Sequence, residues 1–256
     1  MGQWLNSEAA SFIVILLFFF FFVAWEICFR VGSRIAEAPK DKGHPQGQAI
    51  EAAILTLFAL LLGFTFSMSS DRYEARKQAM VEEANAIDTA YARTALLDPV
   101  PMLVAREIIR RYVDSRIDFY DAPEGTIKDQ VSERLQRDAW NIVAEESRKK
   151  PTSINATVVT ALNNMAEARE RQLVSYENIV PFAVDAFLLA LAVISMGVVG
   201  YLNGKAKTRH TSLCFVFAVV VSMTLFLLLD LDRPRKGAIK ISHESLLRLR
   251  EVVNAD

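Results

Sequence analysis

Four long stretches without a charged residue constrain this chain more than any other feature. They are Ala9–Trp25, with 17 residues, and Ala52–Ser70, Ala186–Gly204 and Thr211–Leu229, with 19 residues each. A helix rises 1.5 Å per residue, so a bilayer crossing takes about 20 apolar residues. The alternative, buried core helices of a soluble protein, is disfavoured by the presence of four such stretches in 256 residues. The pattern predicts an all-α membrane protein with four transmembrane helices.

The charges lie mainly between the second and third stretches. Residues 71–177 carry 35 of the 59 charged side chains and contain one glycine, Gly125. Few helix breakers and amphipathic spacing predict a large extramembrane helical bundle inserted between spans two and three. The expected organisation is a first transmembrane pair over 1–70, the helical domain over 71–177, a second pair over 178–230 and a polar tail over 231–256.

The orientation of the spans stays open on charge grounds. The N-terminus lacks Lys and Arg before the first span, and the two short loops are basic, so the positive-inside rule gives no single answer. Cys28 and Cys214 both lie near the short-loop face. They are either free thiols or, if that face is extracytoplasmic, a disulfide.

Signals for enzymatic chemistry are absent from the sequence. The three histidines, His44, His210 and His243, are scattered and have no partner at metal-ligand spacing. No phosphate-binding glycine loop or nucleophile elbow is present. A net charge of −1 argues against nucleic acid as a partner. We therefore expect no enzyme activity, no cofactor and no metal.

One face of the second span carries small and hydroxyl residues. Thr56, Gly63, Ser67 and Ser70 fall at helical offsets 0, 7, 11 and 14, and Phe64 and Phe66 flank them. Such a stripe lines a narrow aqueous path in some channels, where aromatic rings form a constriction. Small residues also serve close packing between helices. The sequence leaves both interpretations open.

Ionisable residues within or beside the spans are costly and often functional. Asp185, about one turn inside the third span, is the least explained of them. The others are predicted to form a charge network at the membrane interface, with the residues Arg72, Arg76, Asp230, Asp232, Arg233 and Arg235.

Several motifs carry a family resemblance. The sequence reads LGFTFSM over 62–68, DRYEAR over 71–76, EANAI over 83–87 and DLDRPR over 230–235. With the order of spans and insert, they resemble a bacterial membrane family described as bestrophin-like. That family is distantly similar to the bestrophins, pentameric ion channels whose second span lines the pore and carries aromatic neck residues. The resemblance implies a homo-oligomer with Phe64 and Phe66 as neck residues.

Two functions remain after the motifs are considered. The first is an oligomeric ion channel or transport protein of the bacterial inner membrane, with the lipid bilayer and ions as partners. The alternative is a membrane-anchored helical scaffold or sensor whose extramembrane domain binds a partner. Assembly discriminates between them, because a channel needs Thr56, Gly63 and Ser67 to face the axis of a ring. If these residues pack against the other spans of the same chain, the channel hypothesis fails.

Overall fold

A computed structural model describes residues 2–36, 45–122, 129–232, 239 and 241–255. Throughout this part of the chain the regular structure is helical. The eight α-helices are α1 (Gly2–Ile35), α2 (Pro45–Arg93), α3 (Pro99–Asp121), α4 (Gln130–Lys149), α5 (Ser153–Glu177), α6 (Phe182–Lys205), α7 (Thr211–Asp232) and α8 (Glu244–Ala255). A short 3₁₀ turn, Thr94–Leu96, follows α2.

In the part of the chain that the structure describes, the fold is all-helical and four helices are long and apolar enough to cross a membrane, so the chain is a membrane protein. The crossing segments fall in α1, the first part of α2, α6 and α7. Helix α2 continues without interruption for 49 residues. The reason is local, because no glycine or proline occurs from residue 64 to residue 98.

The chain divides into two compact units. The apolar unit comprises Met1–Asp71 and Ile179–Ile239, and the charged unit comprises Arg72–Asn178 and Lys240–Asp256. Helix α2 contributes its first part to the apolar unit and its second part to the charged unit.

In the apolar unit, α1 and α6 are parallel and pack with their backbones in close approach. A Cβ added at Gly200 would lie 2.4 Å from the Trp25 carbonyl oxygen, and one added at Gly204 would lie 2.2 Å from that of Phe29. From the first contact to the second, the contacting residue moves four positions forward in both helices, so the helices run parallel. Only glycine permits this approach, a common device for helix packing in membranes.

Helix α7 is antiparallel to α1 in the same unit. The Phe18 and Phe215 rings meet edge to face with centroids 5.0 Å apart, and Arg209, just before α7, pairs with Glu26. The core between α1, α6 and α7 also holds the buried side chain of Phe58 from α2, and Leu61 and Leu62 pack against it. The ends of α1 and α6 therefore lie at the same end of the unit as the start of α7.

The charged unit has its own apolar core, built from α2, α3, α4, α5 and α8. Ile87, Ile109, Val143 and Met165 are fully buried at its centre. Helix α8 closes this core with Leu246, Leu249 and Val253. The sequence predicts a polar tail over 231–256, whereas Glu244–Ala255 form a helix with a buried apolar face.

The end of α8 is held by side chains of the other helices. Tyr91 Oη donates to the Val253 carbonyl oxygen at 3.1 Å, and Arg110 Nε donates to the same oxygen at 2.6 Å. The last carbonyls of a helix have no partner within the helix. Tyr91 and Arg110 satisfy one of them and so fix the C-terminal segment to this unit.

A buried ion-pair network crosses the core of the charged unit. Arg116 Nε lies 2.6 Å from Glu83 Oε1, and both side chains are fully buried. Arg116 Nη1 also pairs with Asp129 Oδ1 at 2.8 Å, and Nη2 donates to Gln172 Oε1 at 2.8 Å. Four helical segments meet through this one guanidinium, because its donors lie in a planar fork.

Two tyrosines, Tyr112 and Tyr120, border this network. Tyr120 Oη donates to Glu83 Oε2 at 2.9 Å. Burial, with the nearby Glu83 carboxylate, raises the pKa of Tyr112 and of Tyr120 well above the ordinary value. Both phenols therefore stay protonated at alkaline pH values at which an exposed tyrosine ionises.

Candidate functional site

Helix α2 has two unlike faces in the segment that crosses the membrane. On one face Phe58, Thr65 and Ser69 are buried, and Phe58 belongs to the apolar core shared with α1, α6 and α7. The opposite face is exposed in the single chain. It carries all six residues predicted to line a pore: Thr56, Gly63, Phe64, Phe66, Ser67 and Ser70.

The space around each glycine distinguishes the face of α6 that packs against α1 from the exposed face of α2. A Cβ added at Gly63 has no atom within 4 Å, whereas Cβ atoms at Gly200 and Gly204 would collide with the backbone of α1. Close helix packing in this unit is therefore the task of α1 and α6. The small residue at Gly63 is not explained by packing within the chain.

The hydroxyls on α2 divide in the same way. Thr65 Oγ1 is buried and donates to the Leu61 carbonyl oxygen at 2.8 Å within the helix. Ser67 and Ser70 are exposed on the other face. Sequence spacing placed Thr56, Gly63, Ser67 and Ser70 on one face but could not indicate which face was covered.

The end of α7 is joined to the segment that precedes α6. Both carboxylate oxygens of Asp232 accept the Val180 N–H, at 3.0 and 2.9 Å. Asp230 Oδ2 accepts the Ile239 N–H at 2.8 Å. The two aspartates thus satisfy backbone donors that a chain turn leaves without a helical partner.

Arg76 is buried and binds the end of α5. Its Nε donates to the Ser175 carbonyl oxygen at 3.0 Å, and its Nη2 donates to that of Asn178 at 2.8 Å. A cation at a helix C-terminus also interacts favourably with the helix dipole. Arg72 is half-buried, and Arg233 and Arg235 lie outside the described residues. The interface charge network stays a prediction.

Asp185 lies in the first turn of α6 and is half-buried. A carboxylate at this position is stabilised by the positive end of the helix dipole. This placement gives Asp185 a structural explanation that the sequence lacked. Its role as a functional acid within the membrane stays a prediction.

Metal-binding side chains do not converge in the described ranges. Over 2–36, 45–122, 129–232, 239 and 241–255, no group of three or more His, Cys, Asp or Glu residues could hold a metal ion. Cys28 and Cys214, whose pairing the sequence left open, are free thiols.

The described part of the chain is all-helical and has four apolar spans, and the second span exposes a polar stripe. These features are those of a multi-span membrane protein. The chain belongs to the bestrophin-like family, because the model of the Bestrophin-like domain matches residues 18–246. The family resemblance predicted from the sequence motifs is confirmed.

Solved structures with the same fold cover nearly the whole chain. A bacterial Bestrophin homolog from Klebsiella pneumoniae is 14% identical, with 96% of this chain and 97% of that chain covered and a TM-score of 0.68. The same homolog with a mutation is 15% identical, with 96% and 99% covered and a TM-score of 0.67. A crystal structure described as a membrane protein is 15% identical, with 96% and 97% covered and a TM-score of 0.70. No curated protein sequence shows a significant match.

Proposed function

We propose that the protein is an oligomeric bestrophin-like ion channel in which the exposed face of α2 lines the pore. The observation that carries this proposal is the exposure of Thr56, Gly63 and Ser67 in the single chain. Along an aqueous axis between copies, the hydroxyls of this stripe gain hydrogen bonds from water that lipid cannot supply. Exposure therefore favours a ring over a closed monomer.

The chemistry of the stripe suits ion passage. The hydroxyls of Thr56, Ser67 and Ser70 offer oxygen atoms to hydrated ions, and Gly63 keeps the path wide at its level. Phe64 and Phe66 are 64% and 38% exposed and lie on the same side of α2 as the hydroxyl stripe. In a ring of copies they form a hydrophobic constriction that gates by dewetting.

The charged unit is assigned to the aqueous side of the membrane. Its location follows from its charge, since a buried ion-pair network and a mixed-charge surface do not fit hydrocarbon. In this scheme 71–177 is the extramembrane helical bundle inserted between spans two and three. The protein is placed as a multi-pass protein of the bacterial inner membrane.

Cross-linking tests assembly directly. In a background with Cys28→Ser and Cys214→Ser, we expect Ser67→Cys to be linked between copies by a short bis-maleimide in native membranes. Ser69→Cys, two residues away on the buried face, is the matched control and should stay monomeric on a denaturing gel. If neither variant, or both equally, gives linked species, α2 does not face a ring axis.

Ion flux tests conduction. Purified full-length protein in liposomes should release trapped ions faster than empty liposomes. Phe64→Ala and Phe66→Ala should raise the flux several-fold, because a wider constriction lowers the dewetting barrier. Phe19→Ala is the control, since Phe19 is 58% exposed but lies on α1. Equal leak from all preparations would exclude a channel.

The scaffold or sensor function retains one supporting observation. Leu96, Val100 and Leu103 are exposed at the start of α3 and just before it, in the charged unit. Contiguous apolar side chains in water are a common docking surface. A protein that assembles no ring and conducts no ions, but loses a partner when Val100 and Leu103 become serine, would favour this alternative.

A further inference from the structure

A cluster of cations lies at the end of the apolar unit where α1 and α6 finish. Because α1 and α6 are parallel and touch at Gly204, their last turns lie side by side. The cluster is made by the side chains of Arg30, Arg34, Lys205, Lys207 and Arg209, four of them exposed and Lys205 half-exposed. The described acids at this end are Glu26 and Glu51, so the cluster is net positive.

Glu26 organises part of the cluster. Its Oε1 accepts from Arg30 Nε at 2.8 Å, and its Oε2 accepts from Arg209 Nη2 at 2.9 Å. The Arg209 guanidinium also lies over the Phe29 ring, 5.3 Å from its centroid. One carboxylate and one aromatic face thus hold two guanidinium groups in place, and a preorganised cation binds an anion at lower entropic cost.

Lys207 gives a second, independent indication. It follows the end of α6 with φ of 54°, in the left-handed region, and its N–H donates to the Gly204 carbonyl oxygen at 3.1 Å. Glycine usually occupies this position because a side chain is strained there. The exposed lysine gains no packing that offsets the strain. A lysine held in a strained backbone conformation, without packing that offsets the strain, points to a use for its charge.

The surroundings of the cluster identify its ligand. Exposed apolar side chains lie directly beside the cations, with Ile27, Val31 and Ile35 on α1 and Leu213, 67% exposed, at the start of α7. Acyl chains fit that surface, and a phosphate group fits the cations one turn away. We propose that this end of the apolar unit binds the headgroups of anionic phospholipids. The proposal does not depend on whether the protein conducts ions.

The test compares the binding of an anionic lipid with the binding of a neutral lipid and of free phosphate. Full-length protein in neutral detergent is titrated with short-chain phosphatidylglycerol, short-chain phosphatidylcholine and inorganic phosphate, and binding is followed by native mass spectrometry and thermal shift. We expect binding of phosphatidylglycerol alone. The variant with Arg34→Gln, Lys205→Gln and Lys207→Gln should bind it about 100-fold more weakly, at about fivefold per cation.

A matched triple variant controls for total charge. Arg137→Gln, Arg148→Gln and Lys149→Gln remove three exposed cations from α4 and should leave phosphatidylglycerol binding unchanged. Equal loss in both triple variants would overturn the proposal. Binding of inorganic phosphate as tight as that of phosphatidylglycerol would also overturn it, because the site would then recognise a free anion.

Lys207→Gly separates charge from backbone strain. This variant should melt at a higher temperature than the natural protein, because glycine accepts the left-handed conformation. It should nevertheless bind phosphatidylglycerol about fivefold more weakly, whereas Lys207→Arg should bind it normally. Unchanged lipid binding by Lys207→Gly would show that this cation is not used for lipid.

Discussion

Replacing Arg116 with alanine is expected to lower the free energy of unfolding of the charged unit by about 3–5 kcal/mol. The Glu83 carboxylate is fully buried and receives its charged contact from Arg116 Nε at 2.6 Å. Without the guanidinium, that carboxylate keeps the Tyr120 hydroxyl at 2.9 Å but loses its counter-charge. Asp129 and Gln172 lose a donor at the same time, so the cost falls on three helical segments.

Hydrogen exchange of the full-length protein in detergent measures this change where it occurs. Amides of α3 and of the second part of α2 should exchange much faster in Arg116→Ala, because local opening then costs less free energy. The control is Arg137→Ala, whose pair with Glu133 is solvent-exposed at 3.6 Å and should contribute under about 0.5 kcal/mol.

A double replacement completes the comparison. Arg116→Met with Glu83→Leu removes both charges, so it should recover much of the stability lost in Arg116→Ala. If Arg116→Met alone stays unstable while the double variant recovers, the cause of the instability is the stranded carboxylate and not the lost packing of the arginine stem. If Arg116→Ala costs no more than Arg137→Ala, the network does not stabilise the charged unit.

Substituting alanine for Gly204 is expected to destabilise the apolar unit by about 3 kcal/mol. The new methyl group would lie 2.2 Å from the Phe29 carbonyl oxygen and 2.8 Å from the Ser33 nitrogen. Both neighbours are backbone atoms and cannot rotate away, so α1 and α6 must separate. Melting temperature and the fraction of monodisperse protein in detergent measure the loss.

Two other glycines provide graded controls for the same substitution. At Gly197 the nearest atom to a new Cβ is the Cys28 sulfur at 3.2 Å, a side chain that can shift, so Gly197→Ala should cost less. At Gly63 no atom lies within 4 Å, and Gly63→Ala should leave melting unchanged while it narrows the proposed path. Equal destabilisation at Gly63 and Gly204 would mean that α2 is packed like α6.

The features of this fold that depend on one continuous segment can be predicted from the sequence. Uncharged runs predicted the four spans because hydrocarbon excludes charge over a fixed thickness. No glycine or proline occurs from Phe64 to Asp98, so the single long helix α2 also follows from the local sequence. Both depend on composition along one segment, and no knowledge of a distant partner is needed.

Features that depend on distant pairs were not predicted. Asp232 binds the backbone of Val180, and nothing in either segment indicates the other. Helix α8 was missed because its buried residues, Leu246, Leu249 and Val253, are few and become part of a core only against the other helices of the charged unit. The small residues around Gly63 on α2 and those around Gly204 on α6 look alike in the sequence. Only the distance to a neighbouring backbone shows that Gly204 is packed and Gly63 is not.

The close approach of α1 and α6 sets an order for biogenesis. The ribosome completes Trp25 long before Gly200, and all of residues 72–178 are translated between them. At ordinary elongation rates this interval lasts on the order of ten seconds. During that time α1 resides in the bilayer without its permanent neighbour, while the charged unit is already emerging. The first span is therefore inserted into the bilayer early in translation and packs against α6 only late.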